Sequence, residues 1–203
     1  MDPIKLKIKE HLDSLPAELS AIRDLALRCL IYCSSISIDG VIQIGHRPWV
    51  SPLNYALSLF PPAKKAWIKK FKGKGIPDSY AHLLLATNGL FAFGLRLYGL
   101  PPSLQGNPPL QDRSRLQCLD LGAANEDRIF QYEVDRDLLY FGGREYSYTE
   151  NLGYFMSTDG QIQSIRKSGE MLRRWGTFSE FLHHELNDTE AEAKKKPDYR
   201  YLG

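Results

Sequence analysis

The sequence predicts an α+β fold class: a mostly antiparallel sheet flanked by helices, with an N-terminal helical plus hairpin extension. Three observations support this prediction. Apolar residues recur at helical spacing within residues 2–33, alternating runs separated by turn residues fill much of the middle, and a capped amphipathic segment begins at Thr177. At 203 residues the chain is long enough for one domain with a substantial core and short for two.

The N-terminal region predicts two helices followed by a β-hairpin. Asp2-Pro3 suits the start of the first helix, and Ser14 is expected to cap the second. The second helix carries an apolar stripe at three- and four-residue spacing: Leu19, Ile22, Leu25 or Ala26, Cys29, Leu30 and Cys33. Residues 36–44 alternate around Asp39-Gly40, which predicts a tight hairpin turn.

A dense group of lysines follows: Lys64, Lys65, Lys69, Lys70, Lys72 and Lys74. On a helix, Ala63, Trp67 and Phe71 would share one face and leave lysines on the other, which is typical of an amphipathic surface helix. Nucleic-acid binding by Lys64–Lys74 is the alternative interpretation, but no base-reading motif accompanies it.

The apolar segment in the middle of the chain is interrupted by Asn88-Gly89, a pair that usually marks a hairpin turn. The residues before it instead recur at helical spacing: Tyr80, Leu83, Leu84 and Thr87. We therefore predict a helix with Pro77 in its first turn that ends at Asn88-Gly89, since both residues tolerate the left-handed conformation. An extended run with a kink at Gly94 is expected over residues 90–98.

The remaining sequence predicts a loop, several strands and a last helix. Residues 101–115 are rich in proline and polar residues, as loops are. The expected strands are the alternating Phe130, Tyr132 and Val134, a run at 139–141 that ends in Gly142-Gly143, and residues 152–156 and 162–165 around a turn. Thr177 and Glu180 form a capping box for a helix with an apolar stripe of Phe178, Phe181, Leu182 and Leu186.

The domain division follows from this order of elements. Residues 1–50 are an extension of the same domain as residues 51–188, and residues 189–203 are a charged, frayed tail. The sequence has no run of 18 apolar residues, no secretion signal at its start, and only three cysteines. We therefore expect a cytoplasmic protein without a disulfide framework.

Charge is unevenly distributed along the chain. Residues 1–75 carry 12 Lys or Arg against 6 Asp or Glu, whereas residues 76–188 carry 10 against 15. This asymmetry indicates either a surface for a charged partner or scatter on a solvated surface. If the strand at 130–134 continues, Glu133, Asp135 and Asp137 share one acidic face that would favour a cationic partner. The alternative is a strand end and turn in which Asp is simply preferred.

No catalytic motif is recognisable, and we predict no enzyme activity, no metal and no cofactor. Cys29 and Cys33 are four residues apart, but two ligands do not make a metal site, and buried core cysteines are the better explanation. The five histidines lack a nucleophile partner visible in the sequence: His11, His46, His82, His183 and His184.

The segment 76–89 resembles the core signature of the SUKH superfamily, which includes fungal regulators of cell-wall synthesis and bacterial toxin-immunity proteins. The pattern is a proline, a tyrosine three residues on, an apolar helix and then Asn-Gly. It is matched here by Pro77, Tyr80, Leu83, Leu84, Asn88 and Gly89. The resemblance covers roughly residues 58–188, so that residues 51–188 would form a SUKH-like domain, and it leaves residues 1–50 without an explanation.

The resemblance implies a non-enzymatic binding protein, most simply an immunity protein that occludes a toxin, such as a nuclease, from a competing bacterium. An acidic face with aromatic anchors suits an inhibitor that competes with a polyanion. The partner-binding candidates are Glu133, Asp135, Asp137, Tyr98, Tyr132, Glu126 and Asp127, with Tyr140, Tyr146, Tyr148 and Tyr154 as further aromatic candidates. Packing within the sheet is the alternative role of these tyrosines. A protein-interaction scaffold without a toxin partner is the alternative function.

Overall fold

The computed structural model describes residues 2–46, 56–71, 75–100, 118–128, 131–147 and 150–195. The helices within these ranges are α1 (Pro3–Asp13), α2 (Ser20–Cys29), α3 (Lys65–Lys70), α4 (Asp78–Ala86), α5 (Leu121–Asp127) and α6 (Phe178–Lys195). The strands are β1 (Cys33–Ile36), β2 (Ile42–His46), β3 (Leu57–Leu59), β4 (Leu90–Ala92), β5 (Leu95–Leu97), β6 (Leu139–Ser147), β7 (Glu150–Met156), β8 (Ile162–Ile165) and β9 (Met171–Trp175).

The strands of the described ranges form one nine-stranded antiparallel sheet in sequence order, from β1 at one edge to β9 at the other. The predicted α+β class is therefore confirmed. Pairing of β2 with β3, in which Ile44 lies opposite Leu57, joins the N-terminal hairpin to the rest of the sheet. Because the strands of this meander are all sequential neighbours, short turns connect most of them.

The two sharpest turn predictions are confirmed. Gly40 has φ +80° in the β1–β2 turn, and Gly160 has φ +87° in the β7–β8 turn. The two turns share a backbone pattern in which the glycine N–H donates to a serine carbonyl three residues earlier, at 2.9 Å in each case. The left-handed conformation costs little free energy only for glycine. For this reason the glycines at both turns made the hairpins recognisable in the sequence.

The start of the first helix is confirmed, whereas the predicted start of the second is wrong. The Asp2 carboxylate accepts the N–H of Ile4 at 2.9 Å and caps α1. Ser14 ends α1 instead of capping α2, and its hydroxyl donates to the His11 carbonyl at 2.7 Å. A serine hydroxyl satisfies orphan groups at either helix end, so its presence alone does not reveal the direction.

Two glycine positions differ from the prediction. Residues 90–98 do not form one kinked strand: β4 and β5 form a tight hairpin through Phe93, at φ +52°, and Gly94. Conversely, β6 does not end at Gly142-Gly143 but runs through them. A side chain at position 142 would lie 2.7 Å from the Arg96 carbonyl oxygen, so this glycine permits close strand approach and does not break the strand.

The two faces of the sheet have separate apolar contacts. On one face, α2 and α6 pack against each other, and Phe141 of β6 contacts the rings of Tyr80, Phe178 and Phe181. The neighbouring residue Tyr140 points to the opposite face. This division follows from the two-residue period of a strand.

The last helix begins as predicted and is longer than predicted. The capping box is confirmed, because the Thr177 hydroxyl accepts the Glu180 N–H at 3.2 Å and Glu180 accepts the Thr177 N–H at 3.1 Å. Residues 189–195, expected to be a frayed tail, instead continue α6. Glu190 in this segment pairs with Arg28 of α2 at 2.7 Å, so the added turns are fixed by tertiary contact. Residues 196–203 of the expected tail lie outside the described residues.

None of the described helices combines the length and the apolar character that a membrane crossing requires.

Candidate functional site

The signature pair Asn88-Gly89 links the end of α4 to the sheet. The Asn88 side chain makes both bonds of a strand partner: its Oδ1 accepts the Leu100 N–H at 2.7 Å and its Nδ2 donates to the Leu100 carbonyl at 3.2 Å. Gly89 alone is left-handed, at φ +88°, whereas Asn88 is not, which corrects the prediction for that residue. The role of this pair is therefore architectural.

The other signature residues have the same kind of role. The Pro77 carbonyl accepts the N–H groups of Tyr80 and Ala81 at the start of α4, with Pro77 just before the helix and not within its first turn. The Tyr80 side chain is fully buried, and its hydroxyl bonds the Tyr98 and Phe141 carbonyls. A buried phenol that joins two adjacent strands fixes the helix over the sheet.

Cys118 lies beside the same linkage. Its sulfur is 3.7 Å from the Asn88 side-chain nitrogen, and a Cβ on Gly99 would approach it to 2.5 Å. Burial, with the nearby Asp120 carboxylate, raises the pKa of the Cys118 thiol to about 12. The thiol therefore stays protonated and weakly nucleophilic at neutral pH.

Three of the candidate tyrosines meet on the other face of the sheet, but all are buried. The hydroxyl of Tyr98 donates to that of Tyr140 at 2.9 Å, and the Tyr132 ring lies 5.3 Å from the Tyr140 ring. Tyr98, Tyr132 and Tyr140 are only 5–8% exposed, and burial raises the pKa of each. These residues pack the core and are not exposed anchors, which supports the alternative interpretation of the sequence.

Tyr154 is also unavailable to a partner, because it is fully buried under α6. Its hydroxyl bonds the Glu185 carboxylate, which lies 3.3 Å from the guanidinium of Arg144. The side chains of Arg144 and Glu185 are 6% and 2% exposed, and no part of the sequence pattern signalled this buried ion pair. The side chains of Tyr146 and Tyr148 lie outside the described residues.

The three acidic candidates lie on a loop, not on a strand. Residues 131–138 have no strand structure, so Glu133, Asp135 and Asp137 do not line one strand face, and this prediction is wrong. The Asp137 N–H donates to the Asp135 Oδ1 at 2.8 Å, the local turn in which Asp is preferred. All three side chains are nevertheless exposed. Phe130, at the start of the expected strand, lies outside the described residues.

Arg128, which the sequence did not single out, holds this loop from beneath. It is 4% exposed, and its guanidinium donates to the carbonyls of Arg136 and Leu138. Burial lowers the pKa of Arg128, while the charges of Asp135 and Asp137 act in the opposite direction. Because an arginine is always charged in proteins, this cation stays buried beneath the acidic loop.

The loop is tied at two further points. The Glu133 N–H donates to the Lys167 carbonyl at 3.4 Å, next to the β8–β9 turn. The ring of Tyr132 occupies the space over Gly153, where a Cβ would come within 2.9 Å of it. A loop held by a buried ring, a buried cation and a backbone hydrogen bond has little conformational freedom.

The helix α5 contributes the other two acidic candidates. The sequence did not predict this helix, which is capped by Asp120, whose carboxylate accepts the Gly122 N–H at 2.7 Å. The side chain of Asn125 bonds both the N–H and the carbonyl of Tyr140 and so fixes α5 to β6. Glu126 and Asp127, at its C-terminal end, are exposed.

We use the term acidic surface for five exposed carboxylates that lie between residues 126 and 137: Glu126, Asp127, Glu133, Asp135 and Asp137. Among the described residues of that stretch, the cations are the buried Arg128 and the exposed Arg136. Within this stretch exposed charge is therefore predominantly negative, and one exposed lysine from outside it, Lys167, accepts the Glu133 N–H through its carbonyl. The structure leaves the five acidic candidates exposed and buries the candidate tyrosines whose side chains it describes.

The described lysines of the cationic segment behave as the surface-helix interpretation predicts. Lys64, Lys65, Lys69 and Lys70 are exposed, while Trp67 and Phe71 pack against the core. The ammonium of Lys64 lies 5.3 Å from the centre of the Trp67 ring. Lys72 and Lys74 lie outside the described residues.

One group within the described ranges has the composition of a metal site: His184, Glu185 and Asp188 on α6. Arginines already accompany it. Arg173 lies 2.8 Å from the His184 ring and 3.6 Å from Asp188, and Arg144 pairs with Glu185. A guanidinium beside these ligands opposes the addition of a further cation. Cys29 is buried on α2, as expected, whereas Cys33 lies beyond the end of α2 and is exposed on β1, so the prediction of a buried core cysteine is wrong for Cys33.

No protein-family model, no curated protein and no solved structure matches this chain. The functional assignment therefore rests on the residues and their geometry.

Proposed function

We propose that this chain is a non-enzymatic binding protein of SUKH-like type, and that it acts as an immunity protein. Its partner is a toxin domain with a cationic surface, such as a nuclease, which it neutralises by covering that surface. The observation that carries the proposal is the acidic surface, supported from beneath by Arg128.

The charge of this surface fits a competitor of nucleic acid. A nuclease attracts a polyanion through lysines and arginines around its active site. A protein that presents several exposed carboxylates is drawn to the same region and excludes the substrate from it. Exposed carboxylates of the acidic surface have neighbours of the same sign, so an approaching cationic partner relieves repulsion between them.

The rigidity of the loop supports the same conclusion. Binding requires that loops and side chains lose conformational freedom, and a loop that is already ordered loses less. Here Arg128 holds the carbonyls of Arg136 and Leu138, and the Tyr132 ring is buried in the sheet. These contacts support a loop whose backbone is held in place before any partner arrives.

If a large gene beside the gene for this chain encodes a C-terminal toxin domain, that domain is the partner to test, and the absence of such a gene would count against the immunity function. Calorimetric titration of that domain with this protein should give tight one-to-one binding, with loss of toxin activity in parallel. Electrostatic attraction predicts that the affinity falls as salt is raised. The double variant Glu126→Lys/Glu133→Lys should weaken binding by about a hundredfold if the partner buries these carboxylates, since removing one member of a buried charge pair at an interface costs about 2–5 kcal/mol.

The matched control is Glu10→Lys/Asp24→Lys, which makes the same change in net charge on exposed residues of α1 and α2. This control should bind like the unaltered protein. Equal weakening by both variants would mean that only net charge matters, which contradicts the proposal of a specific acidic surface. Absence of binding to the neighbouring toxin domain would contradict the immunity function and favour the scaffold alternative.

A further inference from the structure

Among the described residues, the first strand, β1, forms one edge of the sheet, and no backbone group there bonds to its outer side. Its register with β2 places Ile36 opposite Ile42 and Ser34 opposite Ile44. The Ser37 N–H donates toward β2, to the Val41 carbonyl at 2.9 Å. Because antiparallel pairs alternate, the N–H and C=O groups of Ser34 and Ile36 point away from β2. In the described ranges no backbone group bonds to them from that side.

This edge has neither charge nor proline to protect it from pairing, although the strand is short, its register with β2 is irregular between Cys33 and Ser34, and α1 packs near it. Residues 29–38 contain no charged residue and no proline, which are the common devices that keep an exposed strand from pairing with another. Three exposed isoleucines lie in or beside the strand. Ile36, within it, is 38% exposed, and Ile31 and Ile38, on either side of it, are 73% and 99% exposed. An uncharged, partly apolar open edge is a template for a further strand.

The opposite edge of the same sheet is protected. Strand β9 carries Arg173 and Arg174, both exposed, next to its exposed Met171. Arg173 and Arg174 lie on opposite faces of β9, so two copies joined through β9 would bring like guanidinium groups near each other on each face, which is unfavourable even though Arg173 also lies 3.6 Å from Asp188. Strand β1 itself carries no charged residue, and Lys5 of α1 donates to the Ile31 carbonyl at 3.3 Å just before the strand. The uncharged strand is therefore the edge that better tolerates self-pairing.

We propose that β1 is a self-association surface, and that a second copy of this chain pairs with it antiparallel about a two-fold axis. Placing Ser34 opposite Ile36 of the second copy satisfies both outward pairs at once, with about four backbone hydrogen bonds. The Ile36 side chains of the two copies then become diagonal neighbours on one face. Such an isologous contact uses each edge once and closes at two copies.

The strand is only four residues long, so the contact is small and the dimer is weak. Small interfaces give transient complexes, and we expect a dissociation constant on the order of 10 µM. This self-association is independent of the acidic surface and of the proposed function.

Sedimentation velocity of the full chain over about a hundredfold range of concentration tests the proposal. The mass should rise from 23.1 kDa toward twice that value and no further. The variant Ile36→Lys places a charge on the edge and should raise the dissociation constant by about tenfold or more. Met171→Lys, the same change at a similarly exposed position of β9, should leave it unaltered.

A second variant separates pairing from folding. Ser34→Pro removes an N–H that points away from β2 and leaves the β1–β2 ladder intact, so the protein should fold and remain monomeric. Amide exchange at Ser34 and Ile36 should slow as the concentration of unaltered protein rises. A monomeric mass at all concentrations, growth beyond a dimer, or equal effects of Ile36→Lys and Met171→Lys would each overturn the proposal.

Discussion

The signature segment 76–89 and the acidic loop 131–138 use polar groups in opposite ways. In the signature segment, Tyr80 and Asn88 are buried and direct their polar atoms at backbone groups of neighbouring strands. In the loop, the carboxylates are exposed, and one buried side chain, Arg128, bonds the backbone from beneath. The first arrangement builds the fold, and the second presents charge.

This difference separates a recognisable motif from a proposed binding surface. The signature is dense in residues whose backbone or packing role is specific, such as a left-handed glycine and a buried phenol. The acidic surface depends on residues that many loops contain. Changes in the two regions should therefore differ sharply in their effect on the free energy of unfolding, from a large loss in the signature segment to no measurable effect in the loop.

The largest loss of stability is expected for Gly89→Ala. The residue has φ +88°, and an added Cβ would lie 2.7 Å from the Leu97 carbonyl oxygen. Backbone strain and this clash together should lower the free energy of unfolding by about 2–4 kcal/mol. Chemical denaturation followed by circular dichroism measures the change.

The matched control is Gly160→Ala. Gly160 has nearly the same φ as Gly89, +87°, but a Cβ added there has no atom within 4 Å. It should cost only the left-handed strain, about 1 kcal/mol. Equal losses in the two variants would show that the contact with Leu97 is not tight.

The next largest loss is expected for Asn88→Ala. This change leaves the N–H and the carbonyl of Leu100 buried without their partner, which should cost about 2–3 kcal/mol. The exposed Asn151 of β7 is the control, and Asn151→Ala should change the free energy of unfolding by less than about 0.5 kcal/mol.

Cys118 offers an independent readout of this variant, because its sulfur lies beside Asn88. With its pKa raised to about 12 by burial, Cys118 should react with iodoacetamide much more slowly than the exposed Cys33. Asn88→Ala should speed modification of Cys118 and leave that of Cys33 unchanged. An unaltered rate at Cys118 would contradict the proposed role of the Asn88 side chain.

A smaller and more local effect is expected for Arg128→Met. The methionine fills part of the space but cannot bond the carbonyls of Arg136 and Leu138, so the loss should be about 1–2 kcal/mol. Amide exchange should rise mainly over residues 131–138. Arg128→Lys retains the charge but lacks the planar set of donors of a guanidinium. Its free energy of unfolding should lie between those of the unaltered protein and Arg128→Met. Uniform loss of protection over the whole sheet would contradict a local role.

The smallest effect is expected for the double variant Glu126→Lys/Glu133→Lys. Both side chains are exposed, so the free energy of unfolding should change by less than about 0.5 kcal/mol. A lysine near the C-terminal end of α5 also suits the helix dipole. A loss as large as that of Asn88→Ala would contradict the separation between fold-building and charge-presenting regions.

The sequence by itself determined the fold class and those elements that depend on local chemistry. Capping by Asp2 and by Thr177 with Glu180, the turns at Gly40 and Gly160, and the end of α4 all involve contacts within a few residues. These elements can therefore be predicted from residues that are close together in the sequence. The exposed acidic residues between 126 and 137 could also be identified, because charged side chains are rarely buried.

Only the tertiary structure decided what depends on distant neighbours. The short strand β3 and the helix α5 take their places from the sheet beside them, and Gly142 continues a strand because β5 approaches closely. The tyrosines are buried by packing across β6 and the loop, and Arg128 acquires its role from carbonyls eight and ten residues away. The exposure of a residue depends on all the residues packed around it. Many of these are distant in sequence and become neighbours only when the sheet forms, so local sequence patterns do not predict them.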